Sequence, residues 1–265
     1  MAISWTDEVR RLATEERERN ERARPYVGLS YLNDPTDKQT GSPIIGTDTV
    51  KGCRNNCFRC YANRLSRFHS KVFAEPVLCF VVGIPDPEIV YRFGTFGDPA
   101  ANWDWTFREL ARLRARGLKR FYVLTKLQTV DGFRNDPELC LQVTFDPLNG
   151  AQLKTTMRNF DAVVASRVIR LKSIRSGHDR IMLRQAEVLS FAEERGAPIL
   201  ETRFYTHVRE DLGLLLMHGY RRKGKLFKYP GSVLKDCFGL EGHRVCDRAN
   251  TGKCHDCLNC LTYLK

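Results

Sequence analysis

Short apolar runs alternate along the chain with longer amphipathic segments. The run at 120–125 has the length and the aromatic and β-branched content of a buried strand. The segment at 105–116 instead places Phe107, Leu110 and Leu113 at helical spacing, and Gly117 ends it as a C-cap. Six strands are predicted in this way, at 44–50, 89–94, 120–125, 139–145, 162–166 (with a continuation to Leu171 left open) and 198–204.

Helical segments separate most of these strands. Two further helices are predicted, at 62–73 and at 176–194, and Ser176 with Asp179 forms the capping box of the second one. Strands that alternate with helices predict an α/β fold with a parallel sheet and right-handed crossovers. Six strand–helix units are too few for a closed eight-stranded barrel.

The 265-residue chain has 42% hydrophobic residues and a formal net charge of +12. This excess of cations favours a polyanionic partner, with nucleic acid first. Glu and Arg at helical spacing over 5–24 predict a charged helix that lies over the barrel or forms a mobile arm. No run approaches the roughly 18 apolar residues of a membrane span, and the N-terminus lacks a signal sequence. We therefore expect an intracellular, cytoplasmic protein without a membrane partner.

Ten cysteines in such a chain point to metal or redox chemistry rather than to disulfides. Cys79 and Cys140 stand in apolar runs and are predicted to be core residues. The remaining eight form two groups, three at 53–60 and five at 237–260.

The first group has the spacing C-x3-C-x2-C in a loop with Gly52, and an irregular loop allows three thiolates to converge on one centre. This pattern resembles the radical S-adenosylmethionine (SAM) signature C-x3-C-x-Φ-C, in which Φ is aromatic. Arg59 occupies the aromatic position here, whereas Phe58 and Tyr61 flank it. The Cys-Tyr-Ala ending and the compact size are most similar to the spore photoproduct lyase branch and to phage-type radical proteins.

The resemblance implies that Cys53, Cys57 and Cys60 bind three irons of a 4Fe–4S cluster and that SAM chelates the fourth iron. An external one-electron donor such as a flavodoxin or ferredoxin would reduce the cluster. Cleavage of SAM would then give a 5′-deoxyadenosyl radical that abstracts hydrogen from the substrate. The implied fold is a partial (β/α)6 TIM-like barrel at 44–230. A charged helix and lead-in at 1–43 precede it, and a cysteine-rich metal-binding extension at 231–265 follows it.

In barrels of this kind, reactive residues lie at the carboxyl ends of the strands. The family has a Gly-Gly-Glu-like segment that holds the SAM amino group after its second strand, and ribose-binding side chains after its fourth. The resemblance further implies a cation that pairs with the SAM carboxylate. The corresponding candidates in this chain are Gly94, Thr95, Gly97, Asp98, Gln142, Thr144, Ser166, Arg167, Glu201 and Arg203.

The second cysteine group contains a C-x2-C-x2-C run that resembles the start of a ferredoxin cluster site. Five cysteines in 24 residues predict a metal site, and the candidate ligands are Cys237, Cys246, Cys254, Cys257 and Cys260. A second 4Fe–4S cluster is the favoured occupant, with Cys246 or Cys237 as the fourth ligand. Zinc, with His243 or His255 as a ligand, is the alternative.

The stretch 220–229 interleaves cations with aromatic residues, a composition that suits a nucleic-acid strand as well as a solvated loop. Together with the net charge, it makes a nucleic-acid base the preferred substrate. A modified thymidine that is rearranged or repaired by an isomerase or lyase reaction would fit. The alternatives are a radical SAM enzyme that acts on a peptide or small metabolite, and a zinc-stabilised nucleic-acid-binding protein without catalysis.

Overall fold

The computed structural model describes residues 5–22, 44–55, 57–60, 75–79, 90–95 and 97–246. The predicted helix at 62–73 lies outside these residues. So do His255 and the three tail cysteines Cys254, Cys257 and Cys260.

The strands that the structure describes belong to three sheets. Their bounds are β1 Ile44–Gly46, β2 Val50–Lys51, β3 Glu75–Pro76, β4 Val90–Phe93, β5 Phe121–Thr125, β6 Cys140–Phe145, β7 Ser166–Ser173, β8 Ile199–Arg203, β9 Tyr205–Thr206, β10 Arg221–Lys223, β11 Leu226–Lys228 and β12 Arg244–Cys246.

The centre of the fold is a curled parallel sheet that forms a half-barrel, which confirms the α/β class. Its strands follow the order β1-β4-β5-β6-β7-β8-β12, so from β4 to β8 each strand lies beside the next one along the chain. Two small antiparallel sheets accompany the half-barrel. One pairs β2 with β3, and the other contains β9, β10 and β11, with β11 in the middle.

Four strand predictions are confirmed within a residue or two, whereas the predicted first strand at 44–50 is divided between β1 and β2. The predicted fifth strand is wrong over 162–165, but the continuation to Leu171 that was left open lies in β7. Residues 162–165 connect a helix to β7, with Val163 packed into the core and Val164 76% exposed. The connection is apolar because it covers the core. The strand itself begins at Ser166 and carries cations between its apolar residues, so a search for apolar runs placed its start too early.

Six α-helices are described. Their bounds are α1 Trp5–Arg22, α2 Trp103–Arg114, α3 Gly150–Asp161, α4 Asp179–Glu194, α5 Glu210–Leu214 and α6 Val233–Phe238. Helices α2 and α4 were predicted, whereas α3 was not. The predicted capping box is wrong: His178 is the N-cap of α4, and the Ser176 hydroxyl instead accepts from His178 N and donates to Leu215 O.

Strand side chains alternate between the two faces of the sheet. On the convex face, Val123, Leu141, Ile169 and their neighbours pack against α2, α3 and α4 in the main core. On the concave face, five buried residues fill the amino-terminal half of the half-barrel: Val90, Tyr122, Cys140, Val168 and Leu200. This layer fills the concave face at the amino-terminal ends of the strands, so the remaining space lies at their carboxyl ends. Cys140 and Cys79 are buried, as predicted.

Strand β12 belongs to a segment that the sequence assigned to the tail. It pairs in parallel with β8, from Arg244 opposite Leu200 to Cys246 opposite Thr202. The predicted boundary at residue 230 is therefore not an edge of the sheet.

Helix α1 lies over the half-barrel. Val9 is 4% exposed and joins a core cluster with Phe58 and Phe204, and the Trp5 ring stacks on His178 at 5.1 Å. Of the two predicted alternatives, a helix over the barrel and a mobile arm, the structure agrees with the helix over the barrel. Among the described helices, none has the length and apolar content needed to cross a membrane.

Candidate metal centre

Three cysteines lie around an open cavity on the carboxyl edge of the sheet. Cys53, Cys57 and Cys60 all line this cavity of about 230 Å³. The loop that carries them follows β2 and is irregular, as the spacing of the cysteines requires. Its backbone turns back on itself through a bond from Cys60 N to Cys57 O.

Two glycines attach the cysteine loop to the segment after β4. Gly52 forms an isolated parallel bridge with Gly97, and Gly52 has a φ of 78°. A Cβ built on Gly97 would stand 2.0 Å from Val50 O, so no side chain fits there. The glycine at 97 therefore allows two backbones to approach, and this contact places Cys53 at the cavity.

Asp98 joins the cysteine loop to the end of β5. Its Oδ2 accepts from Asn55 Nδ2 (2.5 Å) and Lys126 N (3.0 Å), and its Oδ1 accepts from Thr125 Oγ1 (2.6 Å) and Ala100 N (3.0 Å). A carboxylate has about four acceptor sites, so these bonds fill them. Asp98 thus holds the cysteine loop against the end of β5, and its predicted contact with the SAM amino group stays a prediction.

Arg59 anchors the other side of the loop. Its Nε and Nη2 donate to Asp211 Oδ2 and Oδ1 at 2.9 and 2.7 Å, and both side chains are largely buried. Arg59 has a φ of 53°, and its guanidinium lies 4.9 Å from the centre of the Phe58 ring. The residue at the family's aromatic position thus fastens the loop to α5.

A buried cluster of charged side chains lies behind Cys57. Asp146 Oδ2 accepts from Lys126 Nζ and from Lys172 Nζ, both at 3.2 Å. Lys172 also donates to Phe58 O in the cysteine loop (3.3 Å), and Lys126 lines the cavity with the thiols. Burial acts to raise the pKa of Asp146, but the two ammonium groups outweigh it and hold this pKa below its usual value. Burial alone would lower the pKa of Lys126, and the charge of Asp146 raises it instead.

The thiols of Cys53 and Cys57 are in surroundings that favour the neutral form. Burial raises the pKa of Cys57 to about 12, although Lys126 acts in the opposite direction. Burial, and then the charge of Asp98, raises the pKa of Cys53 well above its usual value. A metal must therefore displace protons from these thiols when it binds.

The cavity has features that suit a bound cofactor. A 4Fe–4S cluster takes one thiolate per iron, so its ligands lie around a cavity, and Cys53, Cys57 and Cys60 are among the residues that line this one. The wall also carries Thr202 Oγ1, which is buried and has no hydrogen-bond partner. Within the described ranges, no group of three or more His, Cys, Asp or Glu side chains converges as ligands of one metal ion.

The predicted SAM-binding residues divide between the cavity and other places. Gly94, Thr95, Gly97, Asp98 and Thr144 line the cavity. Gln142 is fully buried on the same concave face, where its Oε1 accepts from Arg170 Nη1 at 2.7 Å. Gln142 thus orients a residue that does line the cavity.

Ser166 and Arg167 were predicted at the carboxyl end of a strand, and this placement is wrong. Strand β7 begins at Ser166, so both residues lie at the opposite edge of the sheet. Arg167 covers the Phe160 ring and donates to Phe160 O. Arg170 is the cation of β7 that lines the cavity.

Glu201 and Arg203 lie on β8 as predicted, but on the wrong face. Glu201 accepts from Ser173 Oγ and Val233 N, and Arg203 donates to Pro230 O and Gly231 O. Both side chains thus point towards the convex side, on which α6 packs. Thr202, between them, faces the cavity.

Three further cavity residues are absent from the predicted SAM-binding set: Lys126, Arg170 and Thr202. The sequence does offer Lys126 at the end of the third strand and Arg170 as a cation after the fifth, whereas Thr202 was missed. The period of two along each strand is the signal that would have found them, because Thr144 shares their face of the sheet. Using that period requires the correct strand start, which the sequence did not supply for β7.

The two described tail cysteines lie on different elements. Cys246 ends β12 opposite Thr202 and packs against the concave-face cluster, so it adjoins the cavity wall. Cys237 lies in α6, where burial raises the pKa of its thiol. His243 has both ring nitrogens engaged, Nδ1 with Leu240 O at 3.1 Å and Nε2 with Glu201 Oε2 at 2.9 Å. His243 is therefore not free to act as a zinc ligand in this arrangement.

The basic stretch 220–229 is a β-hairpin. All three residues of β10, Arg221–Lys223, are exposed, and the turn contains Gly224 and Lys225. Strand β11 pairs with β9, whose Thr206 hydroxyl bonds to Asp211, the partner of Arg59. A short chain of contacts thus links this basic hairpin to the cysteine loop.

Other proteins were compared with the chain at the level of sequence and of fold. Neither the protein-family models, nor the curated proteins, nor the solved structures gave a match.

Proposed function

We propose that this chain is a radical SAM enzyme with a 4Fe–4S cluster on Cys53, Cys57 and Cys60. The observation that carries the proposal is that these three thiols line one open cavity at the carboxyl edge of a parallel half-barrel. That edge is where barrels of this kind place their reactive groups. The C-x3-C-x2-C spacing and the cavity are independent supports, since the spacing does not determine where the loop lies.

The residues around the cavity have distinct roles in this proposal. When bound, the cluster and SAM would supply the one-electron cleavage and the radical chemistry. Lys126 and Lys172 place two positive charges next to Cys57, which offset the negative charge of bound thiolates. Arg170, Thr144 and Thr202 offer a cation and two hydroxyls to the polar groups of SAM or substrate. Asp98 and Arg59 hold the loop.

The substrate class we propose is a nucleic-acid base, such as a modified thymidine, in an isomerase or lyase type of modification or repair. The net charge of +12 and the exposed cations of the basic hairpin support a polyanionic substrate. Contacts run from the hairpin through Thr206 and Asp211 to Arg59 in the cysteine loop. They support binding of this substrate near the cavity. A base would have to leave its stack to reach such a site.

The cysteine tail extends this proposal. Cys254, Cys257 and Cys260, with Cys246 or Cys237, are proposed to hold a second 4Fe–4S cluster, with zinc as the alternative. The basic hairpin also favours a second function, nucleic-acid binding by a zinc-stabilised protein without catalysis. The exposed cations of the hairpin can bind a polyanion whether or not a cluster is present.

Anaerobic reconstitution with iron and sulfide tests the proposal. Metal per chain is counted, and SAM and dithionite are added to the wild type and to the variant with Cys53→Ala, Cys57→Ala and Cys60→Ala. The proposal expects 5′-deoxyadenosine from the wild type, and the loss of this product and of about four irons in the variant. Zinc in both cysteine groups and no cleavage of SAM would refute the enzyme and leave the binding protein.

A further inference from the structure

A basic groove lies between the helices α3 and α4. It has a volume of about 480 Å³, which is within the range of small-molecule sites. Lys154 of α3 lines it together with Arg180 and Arg184 of α4, and Glu187 is the one acidic residue of the lining. Three cations thus face one acid, which leaves an excess of two positive charges. None of these four residues lines the cysteine cavity.

The cations of the groove repel one another and are only partly neutralised. Within the described ranges, neither the Lys154 ammonium nor the Arg180 guanidinium forms a hydrogen bond or an ion pair. Arg180 and Arg184 are four positions apart on α4, so their like charges lie on one face of that helix. Burial lowers the pKa of Arg184 and the charge of Arg180 lowers it further, whereas Glu187 acts in the opposite direction. A bound anion would relieve this repulsion.

Arg184 is held over the start of α3. Its Nη1 donates to Pro147 O at 2.8 Å, and a Cβ built on Gly150 would stand 2.4 Å from its Nη2. The glycine at this position therefore allows the guanidinium to lie against the helix. A helix begins with partial positive charge, so a cation is unfavourable there. The first turn of α3 contains no acidic side chain that would offset it.

We propose that this groove binds a phosphate dianion, as carried by a phosphomonoester or by free phosphate. Such a group has about 1.5 to 2 negative charges at neutral pH, which matches the excess charge of the lining. A carboxylate or a phosphodiester of a nucleic-acid backbone has only one. Arg184 offers the planar fork of donors that fits phosphate oxygens. Leu183, also in the lining and 68% exposed, offers apolar surface to the organic part of a phosphomonoester.

Isothermal titration calorimetry of the full-length protein at constant ionic strength tests the charge of the site. Thymidine 5′-monophosphate and inorganic phosphate are the probes, and thymidine, which lacks the phosphate, is expected not to bind. Lys154→Gln with Arg180→Gln should weaken phosphate binding by about tenfold or more, because two charge-assisted contacts are lost. Lys119→Gln with Arg158→Gln removes the same charge from exposed positions outside the groove and should leave the affinity unchanged.

Gly150→Ala tests the geometry of the site without changing its charge. The new Cβ would overlap with Arg184 Nη2, and the end of this flexible side chain can move away, so the fold is kept. We expect the phosphate affinity to fall by about fivefold, because the fork of donors is displaced, while the free energy of unfolding stays near the wild-type value. Gly213→Ala, whose added Cβ would meet no neighbour, should keep the wild-type affinity.

The two probes also distinguish the sources of the phosphate. Tighter binding of the nucleotide would support a phosphomonoester, and equal binding would support free phosphate. No binding of either probe, or equal losses in groove and control variants, would overturn the site. So would a groove variant that loses affinity only for DNA without a 5′-phosphate, since the groove would then bind a nucleic-acid backbone.

The phosphate site does not depend on the proposed function. Its affinity is expected to be the same before and after reconstitution with iron and sulfide, because its lining residues are not those of the cysteine cavity. A protein that assembles no cluster but binds phosphate in the groove would refute the enzyme and leave this site.

Discussion

Arg59 and Asp211 form a bidentate, largely buried ion pair, with Nη2 2.7 Å from Oδ1, although they stand 152 positions apart along the chain. The pair fastens the cysteine loop to α5 and, through Thr206, to the sheet of the basic hairpin. It makes the position of the cysteine loop depend on the opposite end of the half-barrel.

Removing one partner of this ion pair is expected to destabilise the protein. Asp211→Leu leaves the Arg59 charge buried without its partner, so the free energy of unfolding falls by about 3–5 kcal/mol. The double variant Arg59→Met with Asp211→Leu removes both charges and recovers most of this loss. Urea unfolding of the wild type, both single variants and the double variant measures the coupling. Single and double variants of equal stability would contradict a role for the pair.

Gly97 is expected to tolerate no side chain. In Gly97→Ala, the new Cβ would stand 2.0 Å from Val50 O and 3.0 Å from Gly52 O, so the loop must move. We expect a loss of stability of about 1–3 kcal/mol or more, and a lower iron content after reconstitution. Gly213→Ala is the matched control, because Gly213 is an exposed helical residue whose added Cβ would meet nothing within 4 Å beyond its own helix backbone. That variant should gain up to about 1 kcal/mol; equal losses in both would contradict the close approach.

Asp98 is expected to hold the cysteine loop in place and not to bind a ligand itself. Asp98→Asn places an amide nitrogen against donors, so bonds to Asn55 or to Lys126 N are lost. Each buried donor without a partner costs about 1–3 kcal/mol. The iron content should fall even when SAM is absent, whereas the exposed Asp104→Asn leaves it unchanged. Full iron content with a selective loss of SAM affinity would show that Asp98 binds SAM directly.

Asp146 is expected to make the metal-free protein sensitive to acid. Its folded pKa lies below the unfolded value of about 3.9, so its contribution to stability is present above that pH and is lost as the pH falls below about 4. Asp146→Asn should cost about 3 kcal/mol at neutral pH, because Lys126 and Lys172 stay buried. The difference from the wild type should narrow as the pH is lowered from about 5 to about 3 in urea unfolding. A constant difference across this range would contradict the pairing, and the exposed Asp131→Asn serves as the control.

The basic hairpin is expected to bind phosphates. Replacing Arg221, Arg222 and Lys223 by serine removes three exposed cations. The slope of log affinity for single-stranded DNA against log salt should then fall in magnitude by about 2, since each phosphate contact contributes about 0.7. Fluorescence anisotropy at several salt concentrations measures it. Serine at the exposed Arg116, Lys119 and Arg158 is the control, and an equal change there would indicate only a net-charge effect.

The sequence alone determined the elements whose signal is local. Apolar runs identified β4, β5, β6 and β8, helical periodicity identified α1, α2 and α4, and the spacing of Cys53, Cys57 and Cys60 identified the candidate metal loop. The isolated Cys79 and Cys140 were correctly interpreted as core residues. These features depend on neighbouring residues, so they can be recognised without the fold.

The tertiary structure decided which side chains reach the cavity. Glu201 and Thr202 are adjacent in sequence, yet only Thr202 faces the cavity, because a strand turns successive side chains to opposite faces. Ser166 and Arg170 lie on one strand, yet they stand at opposite edges, because the strand starts later than its apolar neighbours suggest. The pairs Arg59–Asp211 and Lys126–Asp146, and the bridge between Gly52 and Gly97, join distant segments. Such contacts follow from how the sheet curls, and no local pattern of residues specifies them.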